Sequence, residues 1–519
     1  MYVVVVKGGS AVKAEIEKPE KVNSILARLG ADINMPCSGQ GRCGKCKVKA
    51  EGQLSEVTQQ ELRFLTPEEL AGGIRLACCA EVTGDAVLTV SETEGTSVLL
   101  RGSAVNVAAD PGESGLGLAV DIGTTTIAAY LYDLANGRLL AQGGMENPQE
   151  VCGADVISRI GRSMAGERER LSMLVADAIS ELAGCVLKDS GLRNMTIAKG
   201  VCVGNTAMLY LLSARDPSSI AAAPFISDTL FGENVSAASL GFRHFADGGQ
   251  IYLGRSISAY IGADITAAIL SSGVCEPSRK SFLVDIGTNG EMALFNGEEL
   301  VCCSTAAGPA FEGVGISCGC TAKDGAISHA RAREGKIECN VMGDKEPMGI
   351  CGTGLIDAAA AMLELGLIDE TGRIDEETAV DLGCYGSTAG GAIRLSDGVA
   401  LTQGDIRQLQ LAKAAVRAGI ETLLHEGNVR AEELDVFYIA GGFGSYIDIG
   451  SAIKIGILPA ECETAAKAVG NAAGAGASVM LLSSREREKA EKLAAGARTV
   501  ELSTSAFFMD KYIDCMCFE

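Results

Sequence analysis

The chain has no tryptophan, only three histidines and an aromatic content of 4% across 519 residues. Little is available to stack on bases, which argues against single-stranded nucleic-acid binding on aromatic platforms. Basic residues are outnumbered as well: 44 Lys and Arg stand against 66 Asp and Glu, a formal charge of −22. Such a surface repels phosphate backbones and anionic lipid, so no nucleic-acid or membrane-surface role is expected. No run of about 20 apolar residues occurs. The opening MYVVVVKGGS lacks the basic flank, the apolar length and the cleavage site of a secretory signal, so a cytoplasmic location is expected. With histidine scarce, cysteine is the principal metal-ligating resource, present 19 times. In a reducing compartment such thiols serve as ligands, redox groups or small core residues rather than as disulfides. A hydrophobic content of 47% with 21% charged residues belongs to a folded chain, and the length suits about three or four domains.

Residues 1–90 combine short β-rich runs (Tyr2–Val6, Lys47–Ala50, Val87–Val90), one helical stretch around Val22–Leu29, and loops containing Gly and Cys. Residues 91–117, SETEGTSVLLRGSAVNVAADPGESGLG, are small and polar, hold no sustained period and contain the turn Asp110-Pro111-Gly112, which predicts a flexible linker. From Leu118 onward, apolar strands, Gly-rich turns and long Ala-rich helices (Ala154–Leu187, Gly404–Leu424, Arg485–Ala495) alternate as in α/β domains. Thr402 and Asp405 form a helix start signal ahead of the second of these. LAVDIGTTTIAAYLYD at Leu118–Asp133 and FLVDIGTNGEMALFN at Phe282–Asn296 share one strand–DIGT–strand pattern. That echo predicts two related subdomains, 118–273 and 274–519.

Cys37, Cys43 and Cys46 lie in MPCSGQGRCGKCKVK, and Cys78-Cys79 follow in IRLACCAEV. Three thiolates on a tight loop and one delivered later suit two irons held by two cysteines each. Gly39, Gly41 and Gly44 let the loop backbone wrap closely and aim N–H groups at sulfur. The competing reading is a four-cysteine zinc site, but such sites normally pair one CxxC with another, and this region has a single CxxC. The spacing C-x5-C-x2-C resembles the adrenodoxin-like variant of the [2Fe–2S] ferredoxin domain, an α+β (β-grasp) fold. The resemblance implies Cys37, Cys43, Cys46 and one of Cys78 and Cys79 as ligands, with Cys78, which completes RLAC, preferred.

A strand ending in Asp and followed by Ile-Gly-Thr makes a turn whose amides and hydroxyls face phosphate oxygens while the carboxylate reaches Mg²⁺, usually through water. Two such turns are present, Asp121-Ile122-Gly123-Thr124-Thr125-Thr126 and Asp285-Ile286-Gly287-Thr288-Asn289-Gly290. Asp435–Asp448, DVFYIAGGFGSYID, adds a strand running into Gly441, Gly442 and Gly444, where absent side chains leave room for adenine and ribose. The three elements in this order resemble the phosphate-1, phosphate-2 and adenosine motifs of the acetate/sugar kinase–Hsp70–actin superfamily (ASKHA). The resemblance implies ATP and Mg²⁺ between two subdomains, with Asp121 and Asp285 facing each other across the metal and the glycines and threonines of both turns on the phosphates. Asn205, in Gly204-Asn205-Thr206, is a candidate water-orienting residue, and Glu291 is either a general base or an exposed strand residue.

An iron–sulfur carrier fused to an ATPase resembles the reductive activators of corrinoid-dependent proteins. VCVGNTAM (Val201–Met208), VDIGTNGEM (Val284–Met292), AAGPAFEG (Ala306–Gly313), GTGLIDAAA (Gly352–Ala360), LAKAAVRAGI (Leu411–Ile420) and GGFGSYIDIGSAIKIGILP (Gly441–Pro459) carry this resemblance over nearly the whole chain. It implies one-electron reduction of a partner's Co(II) corrinoid to Co(I), in a methyltransferase system or a corrinoid iron–sulfur protein. A low-potential electron donor and a possible homodimer are further expectations. A plant-type centre lies near about −400 mV, so an acceptor roughly 150 mV lower leaves the electron about 3.5 kcal/mol uphill. The alternatives are an ATP-driven electron injector for another low-potential enzyme, such as a 2-hydroxyacyl-CoA dehydratase, and a redox-gated, chaperone-like ATPase. Cys302, Cys303, Cys318, Cys320, Cys515 and Cys517, with His244, His329 and His425, are read as packing or surface residues.

Overall fold

The computed structural model describes all residues except 8–9, 17–18, 30–45, 66, 91–106, 154, 387–390 and 442–445, and divides the chain into two compact units, 1–97 and 98–519. Among the described residues, no helix is long and apolar enough to cross a membrane.

In unit 1–97 the sheet runs in the order Ser10–Glu15, Tyr2–Lys7, Glu81–Val90, Lys47–Leu54, Ile74–Leu76. Tyr2–Lys7 and Glu81–Val90 pair in parallel, and their other neighbours are antiparallel. Glu81–Val90 alternates outward and buried residues with period two, as a strand with one covered face must. Val22, Ile25 and Leu26 on the helix Val22–Arg28 share a face by their i, i+3, i+4 spacing and close the core over Val3, Val5, Leu76, Val82 and Leu88. The strands extend beyond the β-rich runs at Lys47–Ala50 and Val87–Val90 because pairing carries through the polar residues beside each run.

A buried ion pair ties this unit together. Glu61, fully buried, accepts both forks of the Arg75 guanidinium, Nε at 2.8 Å and Nη2 at 2.9 Å, and also the Leu76 amide at 3.1 Å. Its other bonds form a capping box with Thr58 at the start of the helix Gln59–Phe64. The remaining Arg75 donors go to the Ser55 and Glu56 carbonyls. Burial raises the Glu61 pKa, but Arg75 and the Thr58 and Leu76 amides outweigh it and hold the carboxyl below its ordinary value of 4.5. The segment leading to Cys78 is thereby anchored one residue at a time.

Unit 98–519 contains two six-stranded sheets that share a five-strand core, the sixth strand lying on opposite edges of the two. The first runs Glu233–Ser236, Phe245–Leu253, Ile197–Gly204, Leu116–Ile122, Thr126–Asp133, Arg138–Glu146, and the second runs Ala466–Gly470, Val436–Ala440, Ser281–Ile286, Gly290–Phe295, Leu300–Thr305, Arg498–Val500. In each, an antiparallel three-strand meander begins with the strand that ends in Asp-Ile, and two parallel strands extend the sheet from that strand's other edge. The repeated sequence is thus a repeated supersecondary unit. Residues 107–115, assigned by sequence to the linker, pack on this unit: Asp110 donates its amide to the Leu482 carbonyl at 2.9 Å and accepts from the Ser484 amide at 2.8 Å.

Two helices join the halves. Ala263–Ser272 and Ala472–Leu482 pack on each other, contributing Ala263, Ala267, Ala473 and Ala477 to the first sheet's core and Ile265, Ala268, Ile269 and Ala472 to a cluster with the second sheet's Leu283, Ala293 and Tyr438. Their approach is close enough that a Cβ on Gly476 would lie 2.0 Å from the Ala267 carbonyl oxygen. The Ala154–Leu187 helix expected from sequence is broken into Val156–Arg162 and Arg168–Asp189, with Gly166 at φ 99° between them. Thr402 and Asp405 make the expected capping box, at the head of Gln403–Glu426.

Replacing Glu61 with alanine strands the Arg75 guanidinium in the core. This should cost unit 1–97 about 3–5 kcal/mol, measured as a lower denaturant midpoint for that unit with the midpoint of unit 98–519 unmoved. Because the Glu61 carboxyl is depressed on folding, its stabilisation is present above its unfolded pKa and is lost as pH falls through the folded value.

Candidate functional site

Strand register brings the candidate carboxylates together. Asp121 and Asp285 are the penultimate residues of the two strands that start the meanders, and Asp285 stands directly opposite Glu291 across its hairpin. Parallel neighbours end beside them: Val203 pairs with Asp121, so Asn205 leaves the sheet next to it, and Ala440 pairs with Asp285, so Gly441 leaves there. These are the carboxyl ends of parallel strands, where open α/β sheets place their ligands. Gly441 has φ +93°, and a Cβ there would fall 2.5 Å from Asp285 Oδ1, so glycine is required by both conformation and space.

Contacts between the halves end on these groups. Asn205 donates through Nδ2 to Glu291 Oε1 at 2.8 Å, while its Oδ1 accepts the Ala207 amide and caps the helix Thr206–Leu212. Asn471 caps Ala472–Leu482 and donates through Nδ2 to Asp121 Oδ2 at 2.9 Å. Glu312 accepts from Thr125 at 2.8 Å and from Thr288 at 2.6 Å, one hydroxyl from each DIGT turn.

The first turn is held from below. Asn147 donates through Nδ2 to the Gly123 carbonyl at 2.9 Å and through its amide to the Thr125 carbonyl at 2.7 Å. Arg159, fully buried, donates through Nη2 to the Thr124 carbonyl at 2.7 Å and through Nε to the Gly153 carbonyl at 2.8 Å. Burial lowers its pKa to about 10, well above neutrality, so a fixed positive charge lies beneath the turn. The Gly123 amide donates to the carbonyl of Thr126, three residues on, and the Gly287 amide to that of Asn289, two residues on, so each turn is closed by its glycine amide.

Four carboxyls share this region. Glu291 is buried, and Asp121, Asp264 and Asp285 keep part of their surface accessible. Burial pushes Asp121 up to about 6, partly offset by the Asn471 hydrogen bond. Burial and then the Asp121 charge push Asp285 up to about 7. Asp264 and Glu291 move in the same direction, through burial first and then repulsion from the other acids of the group. Their hard oxygen donors are of the kind a small divalent cation takes, although among the described residues no three or more Asp, Glu, His or Cys side chains are grouped to hold one ion directly.

In unit 1–97, Cys46 and Cys78 are buried with their sulfurs 3.2 Å apart, and the Ala77 amide donates to the Cys46 carbonyl, fastening the two segments together. Cys79 lies 3.6 Å from Cys78, and burial followed by the neighbouring Cys78 raises its thiol to about 11. Cys37 and Cys43 lie outside the described residues, as do Gly442 and Gly444. The paired thiols have the donor chemistry of an iron–sulfur site. Cys302 and Cys303 are fully buried in a strand, where burial pushes both thiols upward, as inert core residues.

Sequence reasoning missed Asp264, Glu312, Asn471, Arg159 and Asn147. Glu312 was visible within AAGPAFEG, and Asn471 heads the small-residue run AAGAGA, a pattern that announces a capped, closely packed helix. Asp264, Arg159 and Asn147 sit in stretches with no local signature, and only tertiary packing brings them to the site.

Three family models match in order: a 2Fe–2S iron–sulfur cluster binding domain over residues 5–83, the RACo middle region over 116–276, and the C-terminal ASKHA domain of RACo over 279–519. The corrinoid activation enzyme RamQ of Eubacterium limosum is 28% identical, with 96% of each chain covered. A [Co(II) methylated amine-specific corrinoid protein] reductase of Methanosarcina barkeri is 31% identical over 40% of each chain. The solved structure of a reductive activator for corrinoid, iron-sulfur protein superposes with a TM-score of 0.71 at 28% identity, covering 100% of this chain and 98% of that one. Iron–sulfur and nucleotide-binding domains thus occupy one chain, which belongs to the RACo family of reductive activators of corrinoid proteins.

Proposed function

We propose that this chain is an ATP-dependent reductive activator that passes one electron from its iron–sulfur cluster to the Co(II) corrinoid of a partner protein and so restores methyl-accepting Co(I). The observation that carries the reading is the convergence of two matched strand–DIGT turns, from two sheets of shared core topology, on one set of carboxyls. The names of the relatives support a corrinoid protein as partner.

The cluster, when bound, supplies one electron at low potential. Cys37, Cys43, Cys46 and Cys78 hold it as a [2Fe–2S] centre. The 3.2 Å approach of the Cys46 and Cys78 sulfurs supports these two as ligands that would hold the same centre. Because Cys79 is the more exposed of the adjacent pair, Cys78 is favoured as the fourth ligand.

Asp121 and Asp285 would hold Mg²⁺, which would supply positive charge against the ATP phosphates. Gly123, Thr124, Thr125 and Thr126 face Gly287, Thr288, Asn289 and Gly290 across the ATP phosphates, with Arg159 adding positive potential behind the first turn. Gly441, Gly442 and Gly444 receive adenine and ribose. Asn205 and Glu291, already hydrogen-bonded at 2.8 Å, orient the attacking water, and Glu291, its pKa raised by burial, accepts the proton. Hydrolysis drives an uphill electron only through nucleotide states that bind the partner's Co(II) form unequally, for example by withdrawing a cobalt ligand. A low-potential donor reloads the cluster, and the protein works in the cytoplasm, with self-association into a homodimer the remaining expectation.

The direct test is anaerobic visible spectroscopy of a Co(II) corrinoid protein with this chain and a low-potential reductant: Co(I) should accumulate with Mg-ATP and not without it. Asp121→Asn or Asp285→Asn should lower ATP turnover about 10–100-fold while leaving the EPR spectrum of the reduced cluster intact. Cys46→Ser should do the reverse. For pH, Asp121 at about 6 and Asp285 at about 7 lie above their ordinary 3.8. Raised acids bind more protons folded than unfolded, so their contribution is full at low pH and is lost as pH rises through 7. The melting temperature of unit 98–519 in chelator should fall across that window, and Mg-ATP should restore more of it at pH 8 than at pH 6.

A further inference from the structure

Glu312 is engaged by both DIGT turns at once. Thr125 Oγ1 donates to its Oε2 at 2.8 Å and Thr288 Oγ1 to its Oε1 at 2.6 Å, so a single carboxylate spans the two halves. Two hydroxyls converging on two oxygens of one anion is also the arrangement that a phosphoryl group between the turns would require. Arg159, beneath the first turn, senses the Glu312 charge, so its field is available to whichever anion takes these donors. Two anions cannot share them: each hydroxyl has one proton to donate, and like charges at this separation repel.

On the reading that ATP binds between these turns, we propose that Glu312 is an internal competitor for the phosphate position, and that ATP binding expels it and moves the segment that carries it. Glu312 ends the short turn Pro309–Glu312, flanked by Gly308 and Gly313, both at φ +80°. These flanking glycines give the turn pivots that a side-chain-bearing residue would resist. On the near side, the Gly308 amide donates to the Thr288 carbonyl at 2.9 Å, so the pivot itself belongs to the second phosphate turn. On the far side, the Ser317 amide and hydroxyl donate to Asp405 Oδ1 at 2.7 and 3.0 Å. Asp405 is the N3 member of the capping box that Thr402 begins at the head of the helix Gln403–Glu426. Expulsion of Glu312 is therefore transmitted along residues 308–320 to the head of that helix. Glu312 acts here as a positioning residue: it sets the spacing of the turns and the apparent affinity for phosphate without entering the chemistry. Binding that must first displace a competitor is weakened by the fraction of molecules in which the competitor is seated.

Calorimetric titration of the full chain with ATP and Mg²⁺ tests this in the wild type, Glu312→Ala and Glu312→Gln. Loss of two charge-assisted hydrogen bonds from the competing state should tighten ATP about tenfold in Glu312→Ala. Glu312→Gln, whose side-chain amide keeps one accepting oxygen, should fall between that variant and the wild type. Adenosine, which lacks phosphate, should bind all three alike. Amide hydrogen exchange in residues 308–320 should quicken on adding ATP to the wild type and should already be fast in Glu312→Ala without it. Unchanged or weaker ATP binding in both variants overturns the inference, as does an adenosine affinity that shifts in step with ATP, since Glu312 would then act on the fold at large. Exchange that ATP leaves unaltered in the wild type overturns the transmitted movement. A wild type that binds no ATP overturns the nucleotide reading itself, and the inference falls with it.

Discussion

Crowding of Asp121, Asp264, Asp285 and Glu291 is the constraint around which unit 98–519 is organised. Folding brings these acids together where burial already disfavours their charge, and Asp121, Asp264 and Asp285 each make the ionisation of a neighbour harder still. A fold selected for stability alone would avoid such a group, and directly opposed acids such as Asp285 and Glu291 are unfavourable across a hairpin. The surroundings supply neutral donors: Asn471 to Asp121, Asn205 to Glu291, the Ile265 amide to Asp264. Neutral donors hold the carboxyls in place without discharging them, so the attraction for a cation is retained.

The same contacts define how the halves communicate. Asn205–Glu291, Asn471–Asp121 and Thr125–Glu312–Thr288 all cross between the sheets, and each has a carboxylate at its centre. The halves are therefore held together through one kind of group, acids that accept neutral donors from the other side. The helices Ala263–Ser272 and Ala472–Leu482, whose close contact depends on Gly476, provide the rigid layer against which these contacts are set. The joining of the halves is thus divided between an apolar helix pair and a polar rim.

Much of this was legible in the residues, and the limits have physical causes. The two DIGT turns, the Thr402–Asp405 cap and the β-rich runs of the first unit are local patterns, and they appear as sheet repeats, a capping box and paired strands. Asp264 was not legible, because it comes from a helix start whose position beside Asp121 depends on how two distant segments pack. Arg159 was equally hidden: a fully buried arginine in a helix carries no periodic signal, and its role comes from the carbonyl of Thr124, far along the chain. Polar residues continue the strand pairing beyond the apolar runs without a local signal, and the Ala154–Leu187 stretch looks continuous because a single glycine in an apolar period is weak punctuation beside its geometric effect.

The return of Ala472–Leu482 to the first sheet also bears on how the protein is made. Ala473, Ala477, Met480, Leu481 and Leu482 belong to the core of a sheet whose first strand begins at Leu116. That core remains open until residue 482 has left the ribosome, because its covering helix is synthesised long after that strand. Unit 1–97, by contrast, has its own core and is synthesised ahead of unit 98–519. Domains fold as units in the order of their synthesis, so the cysteine-bearing unit is available for cluster assembly long before the nucleotide-binding unit can close. A nascent chain then acquires the means to carry an electron before it acquires the means to spend ATP on delivering one.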